Sequence, residues 1–162
     1  ADVPTLAICL GAQLLAQVGG GSTRVGVDGP EVGATMVAKR DAADADPLFA
    51  PLPASPDVVQ WHHDEIDRLP AGATLLASSP RYAHQAYRVG AHVYGLQFHI
   101  ETDEQLVRRW ADGDAVGVAG TGTDVETVCA AAAAVLPDVA GVWAPFAGRF
   151  AALVRDRAAA RA

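Results

Sequence analysis

Positive charge is scarce in this sequence: 12 Lys and Arg stand against 19 Asp and Glu, a formal net charge of -7 over 162 residues. Such a balance disfavours a phosphate backbone or an anionic membrane, so neither nucleic acid nor membrane is expected as the main partner. Cysteine is sparse too. Cys9 and Cys129 alone cannot supply the disulfide framework of a small secreted domain, and a reducing cytoplasm is the expected compartment. Charge of either sign is missing from residues 3–23, which raises a membrane span or a signal peptide. The segment lacks a basic flank, carries Gln13 and Gln17, and ends in Gly19, Gly20 and Gly21, so it reads as strand, turn and helix instead. Those glycines lead into Ser22 and Thr23 without the lysine of a phosphate loop and read as a helix terminator.

What is present is apolar. Hydrophobic residues make up 51% of the chain, and mean hydropathy is +0.17, enough to bury the core of one domain. A continuous apolar run at 6–10 predicts a buried strand, Gly11 a turn, and 12–18 a helix with Leu14, Leu15 and Val18 on one side. Strands are expected at 24–28, 32–39, 58–61, 73–78, 83–88 and 92–99, the last two joined as a hairpin through 89–91. Residues 41–57 collect prolines and predict a surface loop with at most a helical turn near Leu48 and Phe49. Thr102, with Gln105 three residues on, predicts a capping box for a helix to about 111, and two further helices are expected at 124–135 and 139–157, parted by Pro137. The architecture expected is α/β, with a mixed, largely parallel sheet flanked by helices. Residues 1–162 then form one domain, of which 1–112 carry the motifs and 113–162 are a C-terminal helical extension. Trp110, Trp143 and Phe146 read as core or helix-packing aromatics, and Cys129 as a small buried hydrophobe.

Two places carry chemistry. Ala7-Ile8-Cys9-Leu10-Gly11 sets a thiol between a buried strand and a helix, with small residues two before and two after it. That is the pattern of a nucleophile elbow, where a tight turn pushes the side chain outward, the helix N-terminus lowers the thiol pKa, and the Leu10 N–H faces a developing oxyanion. A core cysteine is the competing reading. Ninety residues on, Gly95-Leu96-Gln97-Phe98-His99-Ile100-Glu101 ends an apolar strand in a histidine with a carboxylate two residues later. A thiol nucleophile needs a proton acceptor and an acid to orient it, and His99 and Glu101 fill those roles; an isolated His-x-Glu is more often a surface pair. The remaining histidines, including His62, His63 and His84, do not read as a metal site, because neighbours in an extended segment point to opposite faces and no His-x-x-x-His pair occurs.

Cys9-Leu10-Gly11-Ala12-Gln13, Trp61-His62-His63-Asp64 and Tyr94-Gly95-Leu96-Gln97-Phe98-His99-Ile100-Glu101 together resemble the ordered signatures of class I, triad-type glutamine amidotransferases, over about residues 3–112. The resemblance is strongest to the amidotransferase domain of GMP synthases and to stand-alone GMP synthase-like proteins. It implies a flavodoxin-like fold of the amidotransferase type. It implies hydrolysis of the side-chain amide of L-glutamine through a γ-glutamyl thioester on Cys9, with His99 and Glu101 completing the triad and ammonia passing to an acceptor. By the same resemblance Leu10, Gly11, Gln13, His62 and His63 belong to the substrate site. No metal or cofactor is implied, and a synthetase or acceptor polypeptide is the expected protein partner. The alternatives are a γ-glutamyl peptidase of the same fold and a non-catalytic binding or regulatory subunit. The chain departs from the family at Ala7, where glycine is usual, at Ile100 for proline, and at His63 for glycine or serine. The family also places several strands and a glycine-rich oxyanion loop ahead of the elbow, so a partial domain is expected, with an unpaired edge on the elbow strand.

Overall fold

The structure, a computed structural model, describes residues 3–160. Strand β1 (Thr5–Ile8) enters helix α1 (Leu10–Val18) with Cys9 alone between them, and β2 (Ser22–Val25), β3 (Glu31–Met36) and β4 (Ala38–Lys39) follow. A 3-10 turn (Asp41–Ala45) leads to β5 (Asp57–His62), β6 (Asp64–Arg68), β7 (Thr74–Ser78), β8 (Ala86–Val89) and β9 (Val93–Leu96). The chain ends in helices α2 (Glu104–Gly113), α3 (Ala115–Gly120) and α4 (Val125–Ala159).

The main sheet has the order β1-β9-β8-β7-β4, and two antiparallel ribbons, β2-β6 and β3-β5, stand beside it. The α/β class with a mixed sheet flanked by helices is as expected, but the parallel share is smaller. Only β1 and β9 run parallel; β9-β8, β8-β7 and β7-β4 are antiparallel. The reason is connection length: β8 and β9 are joined by a short turn, which returns the chain antiparallel, whereas a parallel neighbour needs a long crossover. The β1-β9 pair has that crossover, with most of the domain lying between its two strands. β1 is the end of the sheet, and all four of its residues are only half-buried.

Other expectations need correction. Residues 64–68, where no strand is expected, form β6; the strand pairs with β2, where Arg24 and Glu65 make an ion pair at 2.9 Å. Asp103, not Thr102, caps α2, its carboxylate accepting from Leu106 N at 2.7 Å. Helix α1 turns Ala12, Gln13 and Ala16 inward and leaves Leu14 and Val18 exposed. The elbow presses the helix against the sheet, and Ala12 and Ala16 allow the close approach: the Tyr87 hydroxyl donates to Ala12 O at 2.6 Å. The two last helices are one, α4, which continues through Pro137 and Pro145.

The proline-rich loop also differs from a plain surface loop. Leu48 and Phe49 are buried, because buried Asp46 accepts from both of their N–H groups at 2.9 and 3.1 Å and pairs with Arg88 at 2.8 Å. Phe49 plugs the core, stacked with Tyr94 and edge-on to Trp143 and Phe146. Trp143 and Phe146 come from α4, which is long and apolar enough to cross a bilayer by length and composition but lays this aromatic face into the core shared with the sheet.

Candidate active site

Cys9 has φ 49° and ψ -110°, and among the described residues it is the one non-glycine with positive φ. L-residues avoid this region because Cβ crowds the backbone, so the turn stores strain of about 1–3 kcal/mol that its surroundings must hold. They do so through the main chain: Cys9 N donates to Leu96 O at 2.7 Å, and Cys9 O accepts from Gln13 N at 3.0 Å. Ala7 does not take positive φ, and a Cβ at Gly11 would sit 3.6 Å from the Ala7 methyl, so alanine is accommodated where the family has glycine. Leu10 opens α1, where the first N–H groups have no partner within the helix.

The second strand of the same parallel pair delivers the histidine. Ile8 is in register with Leu96, and three residues on, His99 is pinned by a two-way bridge to Val59, with His99 N to Val59 O at 2.8 Å and Val59 N to His99 O at 3.3 Å. The sulfur and the imidazole therefore leave adjacent strand ends. His99 Nδ1 bonds Glu101 Oε1 at 2.6 Å, which leaves Nε2 for the sulfur. Burial of the ring opposes its charge, but the bonds to Cys9 and to Glu101 outweigh it and hold the imidazole at about 9, above the ordinary 6.5. Burial likewise works against the Glu101 carboxylate, and the bond and charge of His99 more than compensate, so its pKa lies below the usual value. The departure at residue 100 adds to this. Ile100 N donates to Glu101 Oε2 at 2.9 Å, a bond that proline could not make.

The expected binding residues separate into groups. Gln13 is buried and donates through Nε2 to Asp64 O at 3.2 Å and to Gln97 Oε1 at 3.3 Å. The Gly11 backbone lies in the elbow, while the Leu10 side chain is exposed. His62 turns inward: its Nδ1 bonds Asp64 O at 2.8 Å and its Nε2 meets Glu31 Oε2 at 3.1 Å, in a buried network with Gln85 and Ser79. Both His62 ring nitrogens are thereby taken up by protein oxygens. His63 points the other way and pairs with Asp114 at 2.8 Å near the surface.

Sequence reasoning gave no role to several groups at the sulfur. Trp61 O lies 3.7 Å and Gln97 Nε2 3.8 Å from Cys9 Sγ. Gln97 is an amide in an otherwise apolar strand, nearly fully buried, which is the signal that could have found it. Trp110, expected to be a packing aromatic, lies over His99 with ring centroids 4.6 Å apart. No local pattern marked it, because the contact joins a helix to a distant strand end. The arrangement brings together a sulfur at a tight turn, an imidazole from the neighbouring strand end, a carboxylate bonded to that imidazole and the first N–H groups of α1.

Comparison with known proteins agrees in fold and sequence. The chain is 32% identical to a glutamine amidotransferase structure from Thermotoga maritima, with a TM-score of 0.79 over 92% of this chain and 63% of that one. It is 40% identical over 101 residues to a glutamine-hydrolyzing GMP synthase subunit from Sulfolobus acidocaldarius, covering 62% of this chain and 52% of that protein. It is 34% identical over 106 residues to the gamma-glutamyl peptidase 5 of Arabidopsis thaliana, covering 63% of this chain and 41% of that one. The chain thus spans about half the length, or less, of these two curated relatives. The model of the glutamine amidotransferase class-I family matches residues 1–107, the stretch that holds Cys9, His99 and Glu101, and the chain belongs to that family.

Proposed function

We propose that this chain hydrolyses the side-chain amide of L-glutamine and passes the ammonia to an acceptor held by a partner polypeptide. The observation that carries the reading is the convergence of Cys9 and His99 from adjacent strand ends, with Glu101 at 2.6 Å behind the imidazole. The Cys9 thiolate attacks the amide carbon, a C–S bond forms, and the carbonyl pair moves to oxygen, opposite the Leu10 N–H. The pair then returns, the C–N bond breaks, and the leaving nitrogen takes the proton from His99. Loss of the thiolate removes one of the contacts that held that proton, so the imidazole is left ready to accept one from water. Hydroxide adds to the thioester, the C–S bond breaks, glutamate leaves and the proton returns to the Cys9–His99 pair.

Ammonia release from L-glutamine by the native chain, measured beside Cys9→Ala, tests the reading. A Cys9-dependent rate supports it, and equal rates overturn it in favour of a regulatory role. The likeness to gamma-glutamyl peptidase 5 favours a second reading, in which the same residues cleave a γ-glutamyl amine. Faster turnover of γ-glutamyl peptides than of glutamine would select it. The Sulfolobus relative is one subunit of its enzyme, which supports a synthetase partner for this chain, and adding that partner should raise the glutaminase rate. Both cysteines are free, in keeping with a cytoplasmic site of action, which cell fractionation checks.

A further inference from the structure

The carboxylate of Glu101 fixes one direction of the His99 ring, and it is 44% exposed on its side chain. A ring held by one in-plane hydrogen bond can still tilt about that bond, and the tilt decides whether Nε2 meets the sulfur. Trp110, from α2, covers one face of the imidazole at a centroid distance of 4.6 Å and an interplanar angle of 52°. The Trp110 indole lies in turn 5.6 Å from that of Trp61 on β5. Trp61 is anchored, since its Nε1–H donates to Asp114 Oδ2 at 3.1 Å. Asp114 is anchored as well: Oδ1 accepts from Gly117 N at 2.8 Å, capping α3, and Oδ2 meets His63 Nε2 at 2.8 Å. Trp61 O lies 3.7 Å from Cys9 Sγ, so this one residue reaches the sulfur with its main chain and the imidazole through its ring neighbour.

We infer that Trp110, wedged between His99 and Trp61 and tied through Trp61 to Asp114, is a positioning residue that sets the tilt of the imidazole toward the Cys9 sulfur. The inference rests on the proposed pairing of Cys9 with His99. Two physical effects act together. The electron-rich indole face favours a cation against it, and its bulk keeps water from the ring, so the bonds to Cys9 and Glu101 operate at a lower effective dielectric. Small misplacements matter at such a site, because an error on the order of 1 Å costs about a hundredfold in rate. The competing explanation is that Trp110 only fills space between α2 and β5.

The test compares Trp110→Leu and Trp110→Phe with the native chain, using iodoacetamide alkylation of Cys9 at neutral pH and an NMR titration of His99. Trp110→Leu should slow alkylation about tenfold or more and lower kcat for glutamine by a similar factor with KM within about twofold. It should also shift the His99 titration away from about 9, since both the burial of the ring and its bonds to Cys9 and Glu101 change. Trp110→Phe, which keeps a ring over the imidazole, should recover most of each effect. Trp61→Phe, which keeps the stack but loses the bond to Asp114, should fall between them, and it carries the test alone if Trp110→Leu does not fold. Unchanged alkylation and unchanged His99 titration, with only a lower melting temperature, would overturn the inference. Alkylation needs no glutamine, so the two readings fail separately. A native chain that releases no ammonia yet depends on Trp110 for alkylation loses the proposed function alone, and an active chain whose alkylation ignores Trp110 and Trp61 loses the positioning role alone.

Discussion

Cys9 illustrates how a single residue can be legible in sequence for the turn it occupies and illegible for its conformation. The small neighbours at Ala7 and Gly11 announce a tight turn, but φ of 49° exists only because Leu96 and Gln13 hold the Cys9 main chain from two sides. Alanine at this position keeps the strained Cβ and glycine removes it. Cys9→Gly should therefore be more stable than Cys9→Ala by about 1 kcal/mol in urea melts, although both lack the thiol. His99 and Glu101 were readable for a similar reason, since residues two apart in one segment find each other with little help from the rest of the fold. Their pH dependence has a definite sign. The imidazole is raised from 6.5 to about 9, so its contribution to stability is complete below 6.5 and is lost as pH rises through 9. Thermal melts of the native chain should weaken across that interval, and His99→Gln should flatten the dependence. Gln97, Trp61 and Trp110 escaped the sequence because each acts on a residue that is near it only in space.

Elements were legible where the pattern was apolar and illegible where tertiary contacts overrode local preference. The β8-β9 hairpin and the β1-α1 unit could be read from composition, whereas β6 is built from charged residues that lie in a sheet only because β2 pairs with them. Helix α4 shows the same in reverse, since its core face carries it through two prolines that would end an isolated helix. Pro145 is exposed, and Pro145→Ala should restore a backbone bond and raise stability by about 1–3 kcal/mol in denaturant melts. Gly95 in β9 has no such freedom. It lies opposite Tyr87 on β8, and a Cβ there would come within 2.5 Å of the Tyr87 ring. Gly95→Ala should cost about 1–3 kcal/mol, and because the Tyr87 hydroxyl holds Ala12 of α1, it should also lower Cys9 alkylation, which a rate measurement on the folded variant would show.

At the scale of the whole molecule, Phe49 from the loop, Tyr94 and Phe98 from the β9 segment, and Trp143 and Phe146 from α4 form one aromatic core. A chain ended at residue 112 would leave the first three without their cover. We expect it to lose its near-ultraviolet circular dichroism and its cooperative melt, and Trp143→Ala in the full chain to cost about 3–5 kcal/mol. Residue order alone sufficed for the α/β class, the family resemblance and the pairing of His99 with Glu101, because these depend on periodicity, side-chain type and short spacing. Packing in three dimensions settled that the sheet is mainly antiparallel, that Leu48 and Phe49 are core, and that the imidazole lies beneath Trp110. Each of those depends on which distant segments exclude water from one another, and neither hydrophobic periodicity nor local spacing records that choice.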